Sequence, residues 1–332
     1  MALPVGGGDL VDPFGGQVDL TARTIRAVGD PLQRFAEDGL RPLRACRFAA
    51  PLGFAVEPAT HAALPQRLGV AHKVAVERVF TELDKLLRGS EPHRGMALLA
   101  ERGLMDLWLP ELRPMIGCGQ NRHHRYDVWT HTLEVIREVP AESSLRWAAL
   151  LHDAGKPRTR SIGPDGEAHF YGHEVRSLEV ADGILERLKT SSGLRKDVAA
   201  LIRHHGTHPT DVWSDAACRR FLGRLAEDSL PLDRWAAFRL ADQRGKGLDL
   251  DHRLGEHQGL MARLKALVAA APPLAVRDLA LDGAALMRLA GRPGGPWLGE
   301  LQRQLLTAVM DDPSLNQAET LAELASKLMA SN

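Results

Sequence analysis

The chain has 332 residues, 44% of them hydrophobic and 25% charged, the balance of a folded globular protein rather than a disordered or fibrous one. Lysine plus arginine and aspartate plus glutamate number 42 each, so no overall field draws the protein to nucleic acid or to an anionic membrane, and any such contact must come from local patches. Cys46, Cys118 and Cys218 stand apart, which fits neither a disulfide framework nor a thiolate zinc site.

Residues 1–30 read as an opening segment: Gly6, Gly7, Gly8, Gly15 and Gly16 punctuate a run ending in DPFGGQVDL, and TIRAVGDP follows. This spacing predicts a turn and a short hairpin. No basic region precedes an apolar stretch there, so no secretory signal is expected. The longest chargeless stretch, Ala266 to Val276, contains two prolines and falls short of the ~20 apolar residues of a membrane span. The expected address is the cytoplasm, without a membrane partner.

From residue 31 onward almost every segment has helical period, so the expected fold class is all-α, an elongated multi-helix body. Helical pattern runs from Leu32 to Phe48, Ala71 to Leu87 and Arg94 to Glu101, forming a lobe over residues 31–122. A second block, 123–268, holds the histidines. The Ala269–Pro273 stretch is the linker candidate, and residues 274–332 form a helical tail.

Nine of the 14 histidines fall between His123 and His208, and this crowding directs the search for chemistry. His152-Asp153 ends the apolar helical run LRWAALL, with Gly155 and Pro157 closing it. At 100° per residue, His131 falls on the apolar stripe with Val128, Thr132 and Val135. His205 falls with Val198, Leu201 and Ile202, with His204 at the stripe's edge, and Asp242 falls with Leu232, Trp235 and Ala236. Three helices thus turn ionisable groups into the core. A lone core histidine is usually a hydrogen-bonded structural residue, but buried carboxylates beside several histidines need a cation. Imidazole and carboxylate without thiolate suit one or two divalent ions, Mn, Fe, Co, Ni, Zn or Mg.

These residues resemble the HD superfamily of phosphohydrolases, whose pattern is H, HD and a distal D. More specifically, DVWTHTLEVI, LRWAALLHDAGKP and HFYGHE are similar to the HD body of bacterial CCA-adding tRNA nucleotidyltransferases, of the poly(A) polymerase family. IRAVGDPLQRFAEDGLRPLRACRFAAPLGF and VERVFTELDKLL resemble that family's neck, and LDGAALMRLAGRPGGPWLGELQRQLL its tail. The resemblance implies that His131, His152, Asp153 and Asp242 hold one metal, and that Asp153 bridges to a second held by His173 and His204 or His205. A water activated between the metals would attack phosphorus. Lys156 would neutralise phosphoryl oxygens or cap its helix, and His169 is a candidate general acid. The base-reading motif of the neck corresponds to Glu37, Asp38 and Arg41, with Arg44 following on the same helix. Gly39 stands where proline is usual, and Pro42 is expected to kink the helix.

The family's nucleotide-gripping head, with its glycine-serine turn and carboxylate pair, has no counterpart in the sequence. A misassigned start, a split gene or a headless paralogue would each give this pattern. The reading that follows is a metal-dependent phosphohydrolase for nucleotide or RNA-end phosphoesters of the 2′,3′-cyclic type, with nucleotide or tRNA 3′ ends as substrate. Nucleotide addition is not expected of this chain alone. One alternative is the body of a split nucleotidyltransferase that works with a separate head protein. The other is an RNA-binding module using basic runs such as Arg187–Arg203 and Arg219–Arg224.

Overall fold

The computed structural model describes residues 1–207, 213–248 and 250–330; His208, last of the crowded histidines, lies outside the described residues. The chain is all-α. Among the described residues, strand is confined to four two-residue pieces: β1 (Thr24–Ile25) pairs in parallel with β2 (Ala55–Val56), and β3 (Ser161–Ile162) pairs antiparallel with β4 (Ala168–His169). No helix among them is long and apolar enough to cross a membrane. The residues cluster into two compact units, Met1–Gly206 with Ala237–Leu250, and Thr207–Ala236 with Asp251–Asn332. The lobe over 31–122 and the first part of the histidine block, 123–206, therefore belong to one unit.

The opening segment departs from the expected hairpin. An isolated antiparallel bridge joins Ala2 to Val11, helix α1 (Gly16–Thr21) follows, and TIRAVGDP contributes β1, whose partner is more than 25 residues away in sequence rather than across a turn.

The single helix expected from Leu32 to Phe48 is two helices. Asp30 caps α2 (Pro31–Glu37) by accepting from the Leu32 and Gln33 amides, and Asp38 then turns extended before α3 (Arg41–Leu52). Gly39 sits in this break because the chain passes directly against the 70–71 backbone. A Cβ there would lie 2.6 Å from Val70 O and 2.7 Å from Ala71 Cα. Pro42 falls in the first turn of α3, where a missing N–H is no loss, so it starts the helix instead of kinking it.

Next come α4 (Pro58–Ala63), α5 (Leu68–Ala71), α6 (Val76–Leu87), α7 (Pro92–Glu101) and α8 (Met105–Trp108). In α6 the apolar residues Val79, Leu83, Leu86 and Leu87 recur at helical spacing and are all buried. Helix α6 lies against α3 and α7, on which Leu43, Cys46, Met96 and Leu99 are also buried, each large side chain contributing about 1.5–3 kcal/mol by burial. Gly95 lets α7 approach, since a Cβ there would stand 2.9 Å from Leu86 Cγ.

The histidine block begins with α9 (Val128–Glu138), α10 (Ser143–Leu151), the short α11 (Lys156–Thr159), α12 (His173–Arg187) and α13 (Ser192–His205). Helix α10 is buried from Ser144 to Leu151 and is flanked by α9, α12 and α13. The chain continues through α14 (Asp215–Glu227), α15 (Leu232–Gly245) and α16 (Leu250–Ala269), which takes in the first residue of the expected linker, and is non-helical from residue 270 to 275. In the second unit, α17 (Gly283–Ala290), α18 (Pro296–Asp311) and α19 (Ala318–Ala330) close over Leu286, Leu305, Val309, Leu321 and Ala325.

Candidate metal centre

Four helix termini and one helix interior bring the site together within the first unit. His131 projects from α9, whose Asp127 cap accepts from the Thr130 amide at 2.8 Å. His152 closes α10, and Asp153 lies in the turn beyond it. His173 opens α12, His205 ends α13, and Asp242 sits in the last turn of α15. Two glycines permit the close approach. The Gly155 amide donates to Ser177 Oγ at 2.9 Å, and a Cβ on Gly155 would lie 2.4 Å from His173 O. A Cβ on Gly245 would lie 2.6 Å from Val135 Cγ2 and 3.3 Å from His131 Nδ1.

Two groups with metal-ligand spacing result: His131, His152 and Asp242, and Asp153, His173 and His205. In the first, His131 Nε2 stands 3.3 Å from His152 Nε2 and 3.2 Å from Asp242 Oδ1. In the second, His173 Nε2 stands 3.3 Å from His205 Nε2. Asp153 spans both. Its Oδ2 faces His152 Nε2 at 3.2 Å and its Oδ1 faces His173 and His205 at 3.6 and 3.7 Å.

Hydrogen bonds assign the tautomers. His152 Nδ1 meets Ala149 O at 2.9 Å, His173 Nδ1 meets Phe170 O at 2.8 Å, and His205 Nδ1 meets Ile202 O at 2.6 Å. A carbonyl only accepts, so each Nδ1 carries a proton and each neutral ring turns a bare Nε2 lone pair inward. Lone pairs facing each other at 3.3 Å require a shared proton or a cation. Neither oxygen of Asp153 has an aligned hydrogen-bond donor, although Lys156 Nζ is 2.8 Å from Oδ2. Since these groups are buried, His173 alone being half-buried, the donor set fits divalent metal.

Electrostatics at the two carboxylates and at His152 and His173 agree with ligation. Burial pushes the Asp153 carboxyl up, but His152 and Lys156 outweigh it and hold Asp153 well below the usual carboxylate range. For Asp242 the same burial is outweighed by Lys246 and His131. Burial keeps His152 and His173 below the ordinary imidazole value, hence neutral and ready to ligate. At His205 burial acts in the same direction, but Asp153 overcomes it and raises the group.

Some expected site residues fall elsewhere. Of the pair left open by the resemblance, His205 joins the cluster, whereas His204 is buried outside both groups. His169 faces Asp165 Oδ1 at 3.3 Å and stacks on Tyr171, so its Nε2 is directed at a loop carboxylate. The neck residues do not share one helix: Glu37 ends α2, where Arg34 and Arg41 bind it, while Arg44 on α3 pairs with buried Glu82 at 3.2 Å. Asp38 pairs with Arg78 at 3.2 Å. Arg41 and Arg44 also line a cleft of about 440 Å³ with Phe35 and Phe48. In the basic runs, Arg187 is bound to Glu111, and Arg219 to the Met310 and Asp311 carbonyls, which fits ordinary surface pairing.

Two neighbours escaped the sequence reading. Lys246 is buried with its Nζ 2.9 Å from Asp242 Oδ2, and the only signal was its i,i+4 spacing. His124 sets its ring edge-on to His131 with centroids 5.3 Å apart, and burial together with Lys156 pushes it down to about 2.

The chain is similar to known proteins over most of its length. A family model described as "HD domain" matches residues 122–235, and one described as "Probable RNA and SrmB- binding site of polymerase A" matches 53–116. The A-adding tRNA nucleotidyltransferase of Deinococcus radiodurans is 38% identical over 311 residues, covering 90% of this chain and 70% of that protein. The chain belongs to the bacterial tRNA nucleotidyltransferase family. The CC-adding member from Thermus thermophilus is 34% identical over 317 residues, covering 91% of this chain and 69% of its own. The fold is shared with the Bacillus stearothermophilus CCA-adding enzyme solved with CTP, at a TM-score of 0.69 and 24% identity over 97% of this chain and 69% of that one. Membership in this family moves the weight of the functional reading from a stand-alone phosphohydrolase to the body of a nucleotidyltransferase.

Proposed function

We propose that these residues form the tRNA-handling body of a tRNA nucleotidyltransferase, with the neck-like lobe and the HD block serving the acceptor end. The observation that carries the reading is 38% identity sustained over 311 residues to an A-adding enzyme. The RNA-binding family match over 53–116 supports it. The test is fluorescence anisotropy with a tRNA lacking its CCA end, against a single-stranded RNA of equal length. Preferential binding to the tRNA, weakening with a shallow salt slope as suits zero net charge, is expected. Equal binding of both RNAs would sink the reading. A nucleotide-adding head, as a separate protein or as part of the same one, would supply the transfer chemistry.

A second activity at the HD block is favoured by one observation, the pair of His/Asp groups in which imidazole Nε2 atoms face each other at 3.3 Å. His131, His152 and Asp242 would hold one divalent ion, His173 and His205 another, with Asp153 between them. Metal there supplies Lewis-acid activation of water and charge compensation for a phosphoryl group. The protein's part is to fix the Nε2 lone pairs through three backbone carbonyls and to exclude bulk water around Asp153. Substrates of this activity are nucleotide or RNA-end phosphoesters. A panel of 2′,3′-cyclic, 3′,5′-cyclic, 2′-mono and 5′-mono nucleotides with Mn, Co, Ni or Mg tests it. Hydrolysis of the 2′,3′-cyclic ester that chelator abolishes is expected, and inactivity on every ester under every metal would refute it.

A further inference from the structure

Each carboxylate of the metal centre has its own buried ammonium, and the two ammoniums are placed differently. Lys156 Nζ lies 2.8 Å from Asp153 Oδ2, the oxygen that also faces His152 Nε2 at 3.2 Å and His131 Nε2 at 3.5 Å. Lys246 Nζ lies 2.9 Å from Asp242 Oδ2, whereas the oxygen turned toward His131 Nε2 is Oδ1, at 3.2 Å. Lys156 therefore shares the Asp153 oxygen that faces both histidines of the first group. Lys246 stands behind its carboxylate.

Both lysines are enclosed, at 6% and 9% exposure, so neither ammonium is simply resting in solvent. Each ammonium stands against one carboxylate as its counter-ion, which offsets the penalty that an unpaired buried carboxylate would carry. Lys156 also has somewhere to go. Its Nζ donates to Gln120 Oε1 at 2.7 Å and lies 5.4 Å from the Phe170 ring centroid, and Gln120 is itself anchored by donating to Tyr126 O at 3.1 Å. Lys246 is held from the other side, because its carbonyl accepts from the Arg125 amide at 3.0 Å.

We propose that Lys156 is the resident cation of the metal-free centre, displaced toward Gln120 and Phe170 when a divalent ion binds, while Lys246 is a standing counter-ion that orients Asp242 in both states. The inference rests on the metal-centre reading and goes beyond it by giving the two lysines opposite effects on metal affinity. Removing a competitor tightens binding. Removing a support loosens it.

The test is calorimetric titration of the chelator-stripped full chain with Mn or Co chloride, for wild type, Lys156→Met and Lys246→Met, with melting curves in chelator. Methionine keeps the length of the stem without the charge. Both variants should melt below wild type in chelator. Lys156→Met should bind its tighter metal on the order of tenfold more strongly, and Lys246→Met on the order of tenfold more weakly, each equivalent to one decade in Kd. Lys156→Gln is the second variant should the methionine chain not fold, since its amide can still reach Gln120. Affinity moving in the same direction for both lysines, or unchanged in Lys156→Met and Lys156→Gln, overturns the proposal while leaving the metal centre standing. Wild type that binds no metal overturns both.

Discussion

Replacing Gly155 by alanine tests the packing that brings the two ligand groups together. The residue has φ −80° and ψ −20°, a conformation any residue adopts, so the backbone alone favours alanine by about 0.4–1 kcal/mol through the unfolded chain. The surroundings oppose it. The new methyl would stand 2.4 Å from His173 O, 2.6 Å from Ser177 N and 2.7 Å from Arg176 Cβ, two of these being backbone atoms of α12 that cannot swing away. Overpacking of this kind costs about 1–3 kcal/mol, which outweighs the chain-entropy gain. At roughly 2–4 °C per kcal/mol for a unit near 200 residues, the melting point should fall by up to about 10 °C. Because His173 rides on the displaced turn, the Asp153, His173 and His205 group should lose its metal first. Differential scanning fluorimetry and elemental analysis read the two effects. A variant that melts at or above wild type and keeps all its metal would refute the close contact between α12 and the His152-Asp153 turn.

Joint replacement of His152 and Asp153 by alanine should remove bound metal and any chelator-sensitive hydrolysis while far-UV circular dichroism stays near wild type, since α10 ends at Leu151. Substantial metal retention would misplace the site. Gly39→Ala should lower stability by about 1–3 kcal/mol in denaturant titration, because its methyl would meet Val70 O at 2.6 Å; a neutral result would deny that contact. Glu57 caps α4, and hydrogen bonds from Thr60 hold its carboxyl below the usual range. A depressed folded value gives stability above the unfolded pKa that is lost as pH falls through the folded one. Glu57→Gln should therefore cost about 0.5–1 kcal/mol at neutral pH, with the gap from wild type closing below about pH 4; a pH-independent gap would count against the charge.

The core-facing histidines were legible because a helix with a clear apolar stripe gives every polar residue on that stripe an address: His131 among Val128, Thr132 and Val135 could only point inward. The same argument put His205 on its stripe and His204 at the edge, and His205 is the one that joins the cluster, its Nδ1 meeting the Ile202 carbonyl at the end of α13. Lys246 was invisible because lysine ordinarily marks solvent, and its burial comes from α15 meeting the loop at Arg125. The break between α2 and α3 depends on Val70, thirty-one positions after Gly39, a contact that no local pattern contains. The contact between His169 and Asp165 across the β3–β4 turn was likewise outside any helical pattern.

The three carbonyls that seat His152, His173 and His205 each belong to the residue three positions earlier in the same chain segment. Each imidazole is thus aimed by its own backbone, with no other side chain as intermediary. Those three ligands are tolerant of drift: neighbouring side chains can be exchanged through generations of substitution without swinging them off target. Only a change in the path of the main chain, or loss of the histidine itself, would move one.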